Sequence, residues 1–375
     1  MMKKLFKLFI AAAAAIFIFV SFTACYVYKS MGKLPSASDI SQFEKLPYYK
    51  EGHFVSPKTL ERYPERRTGG KGGMARHLFR SPHAPKIELP KNFLTKESFP
   101  QTPENYAVYW LGHSSFILEL DGVRFAFDPV LQNAAPVWFA ARRYDKSPIK
   151  RKDLPRINYA VLTHDHYDHL EYRTIKYLKK SDTEFIVPLG VGAHLKSWGI
   201  PKERIYELGW GDSFNANGVI ITAEKAVHYS GRKKKDRGKS LWASYIIKGK
   251  EKNIFVSGDT GYGDIFKEIG GKYGAFDLAF IEIDGWNPAW PNTHLFPQEV
   301  IQVMKDINAS LLLPTHWAVF DLALHEWDES IKLVSELAEK EDIKLLTPVM
   351  GQKVTPEITQ TGKWWLLNDK TKKED

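Results

Sequence analysis

The chain reads as a mixed α/β protein with an irregular N-terminal extension. Three observations carry that reading. The first part of its globular region is rich in short apolar strands, two helical stretches and further strands follow, and polar residues close the apolar runs. The last feature matters most for function, because an α/β scaffold presents its reactive groups where strands end. At 375 residues, 43% hydrophobic and 26% charged, the chain has material for a substantial core in one large or two small domains.

The N-terminus opens with basic residues (Lys3, Lys4, Lys7), and Leu8 to Val20 is wholly apolar, the length of a signal-sequence core. Ser21 to Ala24 leads into Cys25, the only cysteine. A small residue ahead of a cysteine at that place resembles a bacterial lipoprotein box, with Phe22 where leucine is usual. Residues 1–24 are therefore expected to be a signal peptide, cut ahead of a lipid-bearing Cys25 that holds the protein on a membrane of the bacterial cell envelope. An uncleaved anchor helix and plain secretion are the rivals. A lone cysteine forms no intrachain disulfide.

Residues 25–103 contain nine prolines and the glycine-rich run Thr68 to Gly73, which argues against a regular domain. Phe54, Tyr63, Leu78, Phe79 and Phe93 supply apolar anchors that a bare linker lacks, so a tether and wrapped extension is expected. The catalytic domain is expected over 104–355, and a tail over 356–375. Ala107 to Leu120 reads as two strands broken at Gly112-His113, Asp121-Gly122 as a hairpin turn, and Val123 to Phe127 as the next strand. Pro297 to Ile307 and Trp327 to Lys340 read as helices.

The net charge of +9 is diffuse, apart from Arg232 to Lys235 and the lysine-bearing ends. No zinc-finger spacing or RNA-binding signature accompanies it, so nucleic acid is not an expected partner. The basic run reads as a loop between Gly231 and Gly238, or as an attraction to anionic headgroups.

The chemistry concentrates in His164-Asp165-His166-Tyr167-Asp168-His169, three imidazoles and two carboxylates in six residues. The strand-like Asn158 to Thr163 precedes it, and Leu170 to Leu178 follows with helical spacing. Such a set is costly to bury without a metal, and imidazole with carboxylate suits zinc or a similar divalent ion. His164 and His166, two apart in an extended turn, point the same way, while Asp168 and His169 face a second point close by. His228 after Gly218 to Thr222, Asp259 after Asn253 to Val256, and His316 after Leu311 to Leu313 each follow an apolar run. Singly they are weak signals, since a lone histidine after a strand is more often structural.

The H-x-H-x-D-H pattern resembles that of the metallo-β-lactamase superfamily. The resemblance implies an αββα sandwich with a two-metal site at one edge. His164, His166, His228 and Asp259 would hold one ion, and Asp168, His169, Asp259 and His316 the other. Asp259 and a water or hydroxide would bridge them. Two such ions lower the pKa of that water and neutralise charge on a phosphoryl or carbonyl oxygen. Zinc is the expected metal, with iron or manganese left open by the ligand types. Asp168 would also orient the attacking oxygen or carry its proton, and Asp165 would fix a histidine.

The blocks Trp110 to Phe116, Asp128-Pro129, His164 to Leu170, His228 to Arg232, Ser240 to Ser244, Gly258 to Tyr262 and Thr315 to Trp317 occur in the order of a narrower branch. They resemble the N-acyl-phosphatidylethanolamine-hydrolysing phospholipases D, over about Tyr106 to Leu322. This implies a phospholipid or other phosphodiester as substrate. It also places His294 near the phosphate, as a proton donor or phosphoryl-oxygen ligand; the alternative is a helix-entry histidine. One segment departs from the branch: Ile283 to Trp290 has Ala289 in place of an arginine and an added acid at Asp284. That puts the headgroup preference in question. Arg232 is a candidate phosphate partner, the alternative being a local carboxylate, and His113 is a candidate substrate contact or a structural histidine. A lactonase of a small phosphorylated substrate and a non-catalytic envelope binding protein are the alternative functions, and a homodimer is an admitted assembly.

Overall fold

The computed structural model describes residues 2–58, 81–137, 140–233, 235–358 and 360–366. Tyr63, Leu78, Phe79 and the glycine-rich run lie outside them.

Two seven-stranded sheets form the body. The first has the order β16-β3-β4-β5-β6-β7-β8, with β3 Tyr106–Gly112, β4 Ser115–Leu120, β5 Val123–Phe127, β6 Tyr159–Val161, β7 Glu184–Pro188, β8 Ile205–Leu208 and β16 Lys353–Val354. The second runs β15-β14-β13-β12-β11-β10-β9, with β9 Ser213–Ala216, β10 Val219–Glu224, β11 Ser244–Lys248, β12 Asn253–Val256, β13 Leu278–Glu282, β14 Leu311–Thr315 and β15 Lys344–Leu345. In each sheet an antiparallel part gives way to a parallel part, at β5–β6 and at β12–β13.

Period-two alternation builds the layers. Along β3, Val108 and Trp110 face the other sheet, while Ala107, Tyr109 and Leu111 join a separate cluster on the opposite face. The sheets meet through aromatic contacts such as Phe116 on Phe280, ring centres 4.0 Å apart. The outer face of the first sheet is covered by α3 (Tyr172–Leu178) and α4 (Gly192–Ser197), through Ile175, Leu178, Leu195 and Trp198. Helices α5 (Ile265–Tyr273), α6 (Pro297–Asp306) and α7 (Glu329–Lys340) cover the second, through Phe266, Val300, Val303, Ile331 and Val334. The architecture is therefore the αββα sandwich.

Local signals explain the joints. Asp121 and Gly122 both have positive φ, 50° and 79°, as a two-residue turn between β4 and β5 requires. Pro297 stands in the first turn of α6, and the Glu299 carboxylate accepts the Phe296 N–H at 2.9 Å, satisfying a donor at the helix entry.

The N-terminal segment holds α1 (Met2–Ser30), α2 (Ala37–Phe43) and the short hairpin β1 (Tyr49–Lys50) with β2 (His53–Phe54). Phe43, Tyr49 and Phe54 pack on Leu241 and Trp242. Beyond the expected domain end at 355, Trp364 and Trp365 are buried, with Trp364 stacked on Trp317 at 5.0 Å, so the core extends into the expected tail.

Under the first sheet lies a buried ion pair, Arg124 Nε to Glu119 Oε1 at 2.6 Å. Arg124 also donates to the carbonyls of Arg156 (3.1 Å) and Pro100 (2.7 Å), and Glu119 accepts the Glu104 N–H at 2.8 Å. Arg124→Ala should destabilise the fold by about 3–5 kcal/mol, since it leaves a buried carboxylate uncompensated. The double variant Glu119→Gln/Arg124→Met should recover much of that. Urea unfolding of the purified full chain in detergent checks both expectations.

Candidate metal centre

The turns after β6, β12 and β14 meet at one edge of the sandwich. The turn after β6 carries His164 to His169, that after β12 carries Asp259, and that after β14 carries His316; His228 follows β10 by a short connection. His316 has φ +67° and Asp128 φ +38°, conformations uncommon for residues other than glycine.

Among the described residues two four-residue sets of donor atoms result, and a third group, Asp259, His294 and His316, overlaps both. His164, His166, His228 and Asp259 offer atoms within 4.8 Å of one another, and so do His113, Asp168, His169 and His316. Asp259 joins the sets, with Oδ1 3.1 Å from His169 Nε2 and Oδ2 3.2 Å from His316 Nε2 and 3.7 Å from His164 Nε2 and His228 Nε2.

The donors fit divalent cations. His164 Nε2 faces His166 Nδ1 at 2.8 Å, and the same Nδ1 faces His228 Nε2 at 3.3 Å. Three neutral imidazole nitrogens gathered this closely cannot all be satisfied by one another. His169 Nε2, Asp259 Oδ1 and His316 Nε2 are buried without hydrogen-bond partners, although carboxylates and imidazoles lie beside them. Short approach without hydrogen-bond geometry is what a shared cation between the atoms would produce. Burial, reinforced by His169 and His166, holds the His164 imidazole well below its usual range, in the neutral form that ligates. Burial opposes charge on His169 as well, but Asp259, Asp168 and Asp128 outweigh it and drive this imidazole well above. The second set thus calls for positive charge.

The far sides of the rings are held from several elements. His169 Nδ1 lies 2.7 Å from Asp128 Oδ2, and Thr163 donates to Asp128 through N–H and hydroxyl at 2.8 and 2.6 Å. His164 Nδ1 lies 2.9 Å from Thr163 Oγ1, and His228 Nδ1 2.9 Å from the Thr293 carbonyl. Such partners set ring orientation and tautomer.

All seven predicted donors therefore converge. His294 joins them, its ring centre 5.2 Å from that of His228 and 5.1 Å from that of His316, with Nδ1 3.2 Å from Glu282 Oε1. His113 is buried, with Nε2 3.0 Å from Asp168 Oδ2, and so supports that carboxylate. Asp165 holds His194 (3.1 Å), Ser240 (2.8 Å) and the Gly231 N–H (2.7 Å), so the histidine it fixes is not one of the seven.

Arg232 corrects the expectation of a phosphate partner. Its guanidinium is buried behind the motif and donates to the carbonyls of Asp165 (2.7 Å), Leu170 (3.1 Å) and Ser30 (2.9 Å). The acid at Asp284 is likewise engaged inside the fold, 3.0 Å from His325 Nε2 and accepting the Ser330 hydroxyl at 2.9 Å. Sequence reasoning gave no role to Asp128 or Glu282. Each is an acid closing an apolar strand, β5 or β13, and that pattern was the available signal.

Comparison with known proteins agrees with this geometry. The beta-lactamase superfamily domain matches residues 123–317. An uncharacterised protein of Mycobacterium tuberculosis is 36% identical over 336 residues, covering 86% of this chain and 88% of its own. The N-acyl-phosphatidylethanolamine-hydrolyzing phospholipase D 1 of Caenorhabditis elegans is 33% identical over 283 residues, 70% of this chain and 79% of its own. Among solved structures, Igni18, a metallo hydrolase of the archaeon Ignicoccus hospitalis, matches in fold with a TM-score of 0.53 at 19% identity, over 68% of this chain and 99% of that one. The chain belongs to the metallo-β-lactamase superfamily, in the branch that contains the N-acyl-phosphatidylethanolamine-hydrolysing phospholipases D.

Proposed function

We propose that the protein is a dinuclear metal-dependent phosphodiesterase of phospholipase D type, acting on N-acyl-phosphatidylethanolamine or a related phospholipid. The observation that carries this reading is the paired donor set joined by Asp259, with His294 beside it. His164, His166, His228 and Asp259 would hold one ion, and Asp168, His169, His316 and Asp259 the other. Zinc suits these nitrogen and oxygen donors. Two divalent cations, when bound, supply a water of lowered pKa and offset charge on a phosphoryl oxygen.

The chain's own groups do the rest. Asp168, steadied by His113, orients the attacking water and takes its proton. Burial and the nearby His316 push His113 down to about 3, so it stays neutral and its Nε2–H donates to Asp168. His294, held through Nδ1 by Glu282, gives a proton to the leaving alcohol oxygen from its other nitrogen. Room for its ring depends on Gly285, where a Cβ would stand 2.7 Å from His294 Nδ1. Oxygen from water ends on phosphorus, and the alcohol departs with the proton.

Localisation follows from α1. Its Lys4–Ser30 stretch is long enough to cross a bilayer and contains an 18-residue window of mean hydropathy 2.5. Cys25 is exposed on this helix. We read α1 as the signal or anchor of an envelope protein, with lipid on Cys25. Cleavage ahead of Cys25 would keep the last turn, which docks on the catalytic domain.

The full chain with N-acyl-phosphatidylethanolamine in water labelled with heavy oxygen should release N-acylethanolamine and carry the label in phosphatidic acid. Chelation should abolish this, and metal analysis should return about two ions per chain. Label in a lactone-derived acid, with no action on phosphodiesters, would instead favour the lactonase reading. Full metal occupancy without turnover of either would favour a binding protein.

His294→Ala should lower kcat by about a hundredfold to ten-thousandfold with metal content kept. Gly285→Ala should do much the same by displacing the ring, and unchanged kcat in both would remove His294 from the mechanism. Cys25→Ser should abolish labelling of the protein by radioactive palmitate in bacterial cells; persistent labelling would exclude Cys25 as the lipid site.

A further inference from the structure

A groove of about 1350 Å³ lies beside the metal centre rather than over it. Its walls are the last turn of α1 (Tyr26, Ser30), the connection through residues 143–153, and the start of α3. None of the seven metal donors lines it, although Tyr167 and Leu170 of the same turn do.

The charge in this groove is mainly positive, with Asp153 the lining carboxylate that has no ion pair among the described residues. Lys146, Lys150 and Lys152 are exposed there, and among the described residues none of them has an ion-pair partner. The nearby carboxylates are mostly engaged. Asp145 accepts the Leu89 N–H at 2.8 Å and pairs with Lys91 at 3.3 Å. Glu171 pairs with Arg151 at 2.9 Å and accepts from Leu131 N–H and the Thr174 hydroxyl. Arg173 stacks over Tyr26, 4.9 Å from its ring centre.

The groove also sits at a particular place on the molecule. It begins where α1, exposed from Lys4 to Phe22, gives way to its docked last turns, which end at Ser30. The docked end is fixed: Trp198 Nε1 donates to the Lys29 carbonyl at 2.7 Å, and Tyr26 meets Tyr172 edge-on with ring centres 5.8 Å apart. Phe93, on the groove wall, is 65% exposed. Aromatic rings and basic side chains just past the end of a membrane helix settle in the headgroup layer, where anionic lipids attract lysine.

We propose that this groove binds the headgroup of an anionic phospholipid from the membrane that holds α1, and binds it without hydrolysis. Lys146, Lys150 and Lys152 supply the charge, and Tyr26 and Phe93 face the glycerol and upper acyl region. The inference rests on the docked end of α1 being held at a membrane, by the apolar helix itself or by lipid on Cys25. It does not rest on the phosphodiesterase reading, because the groove shares no donor with the metal centre.

The test uses the full chain in micelles of an uncharged detergent, titrated calorimetrically with dihexanoyl phosphatidylglycerol, dihexanoyl phosphatidylcholine or inorganic phosphate. Phosphatidylglycerol should bind more tightly than either of the others, and should still bind after chelation. The triple variant K146Q/K150Q/K152Q should lose about tenfold to a hundredfold in that affinity while keeping its metal content. F93S should weaken phosphatidylglycerol and leave inorganic phosphate unchanged. Equal binding of the two lipids, wild-type affinity in the triple variant, or loss of binding on chelation would overturn the proposal. Inorganic phosphate binding as tightly as the lipid would mark a free-phosphate site and overturn it too. Failure of the phosphodiesterase reading would appear in turnover and leave these titrations unaffected.

Discussion

The site depends on burying the Asp259 carboxylate among imidazoles from both halves of the sandwich. An unpaired carboxylate in such a place is strongly disfavoured. Here each oxygen has a different set of nitrogens beside it, His169 for Oδ1, and His316, His164 and His228 for Oδ2. Because Oδ2 faces nitrogens of both donor sets, cations held by the two sets would share and balance this charge. The same position makes Asp259 the join between the turn after β6 and the turns after β12 and β14, so the register of the two sheets and the spacing of the donors are one problem.

Gly258 shows how closely those turns approach. It has φ +58°, and a Cβ there would lie 3.0 Å from both the Ala243 carbonyl oxygen and Thr163 Cβ. Thr163 immediately precedes His164 and also binds Asp128, which in turn holds His169. Glycine thus lets the Asp259 turn sit on the residue that orients both donor sets. His228 is held by the Thr293 carbonyl and His294 by Glu282, from β13 and the segment after it. With the rings fixed from behind, little rearrangement is needed when ions or substrate enter, which is what preorganised polar sites require.

The donors were legible because they come as a dense motif or sit one at a time at the ends of apolar runs. The strands were legible for a related reason: Asp121-Gly122 announces its turn, and β12 falls on Asn253 to Val256 as its apolar run indicates. What lay beyond the sequence was pairing at a distance. Arg232 stands four residues after His228, where a substrate-binding arginine was a candidate, but its side chain turns inward to three carbonyls, two in the turn after β6 and one at the end of α1. The acid at Asp284 was legible as a departure and not as a partner of His325, which lies on a different loop. Likewise the tail at 356–375 has no periodicity to suggest a core role, yet Trp364 extends the stack of Trp110 and Trp317, and Trp365 meets Trp317 edge-on.

Under the membrane attachment of α1 proposed above, the position of Arg232 would bear on how the body meets the bilayer. A flexible tether would let the body sample many orientations above a bilayer, with reach growing as the square root of tether length. This chain does something different at its N-terminal helix. One buried guanidinium binds the Ser30 carbonyl at the helix end and the carbonyls of Asp165 and Leu170 in the turn that carries four of the donors. The ring of Tyr167, from the middle of that turn, lies under the same guanidinium at 4.0 Å. The helix end and the turn that carries the candidate donors are therefore held by a common group, and a displacement of one strains the contacts of the other. With the end of α1 at a bilayer, as proposed above, the distance from bilayer to donor cluster would be set by side-chain packing and not by the length of the proline-rich segment, whose α2 and β1–β2 hairpin pack on Leu241 and Trp242.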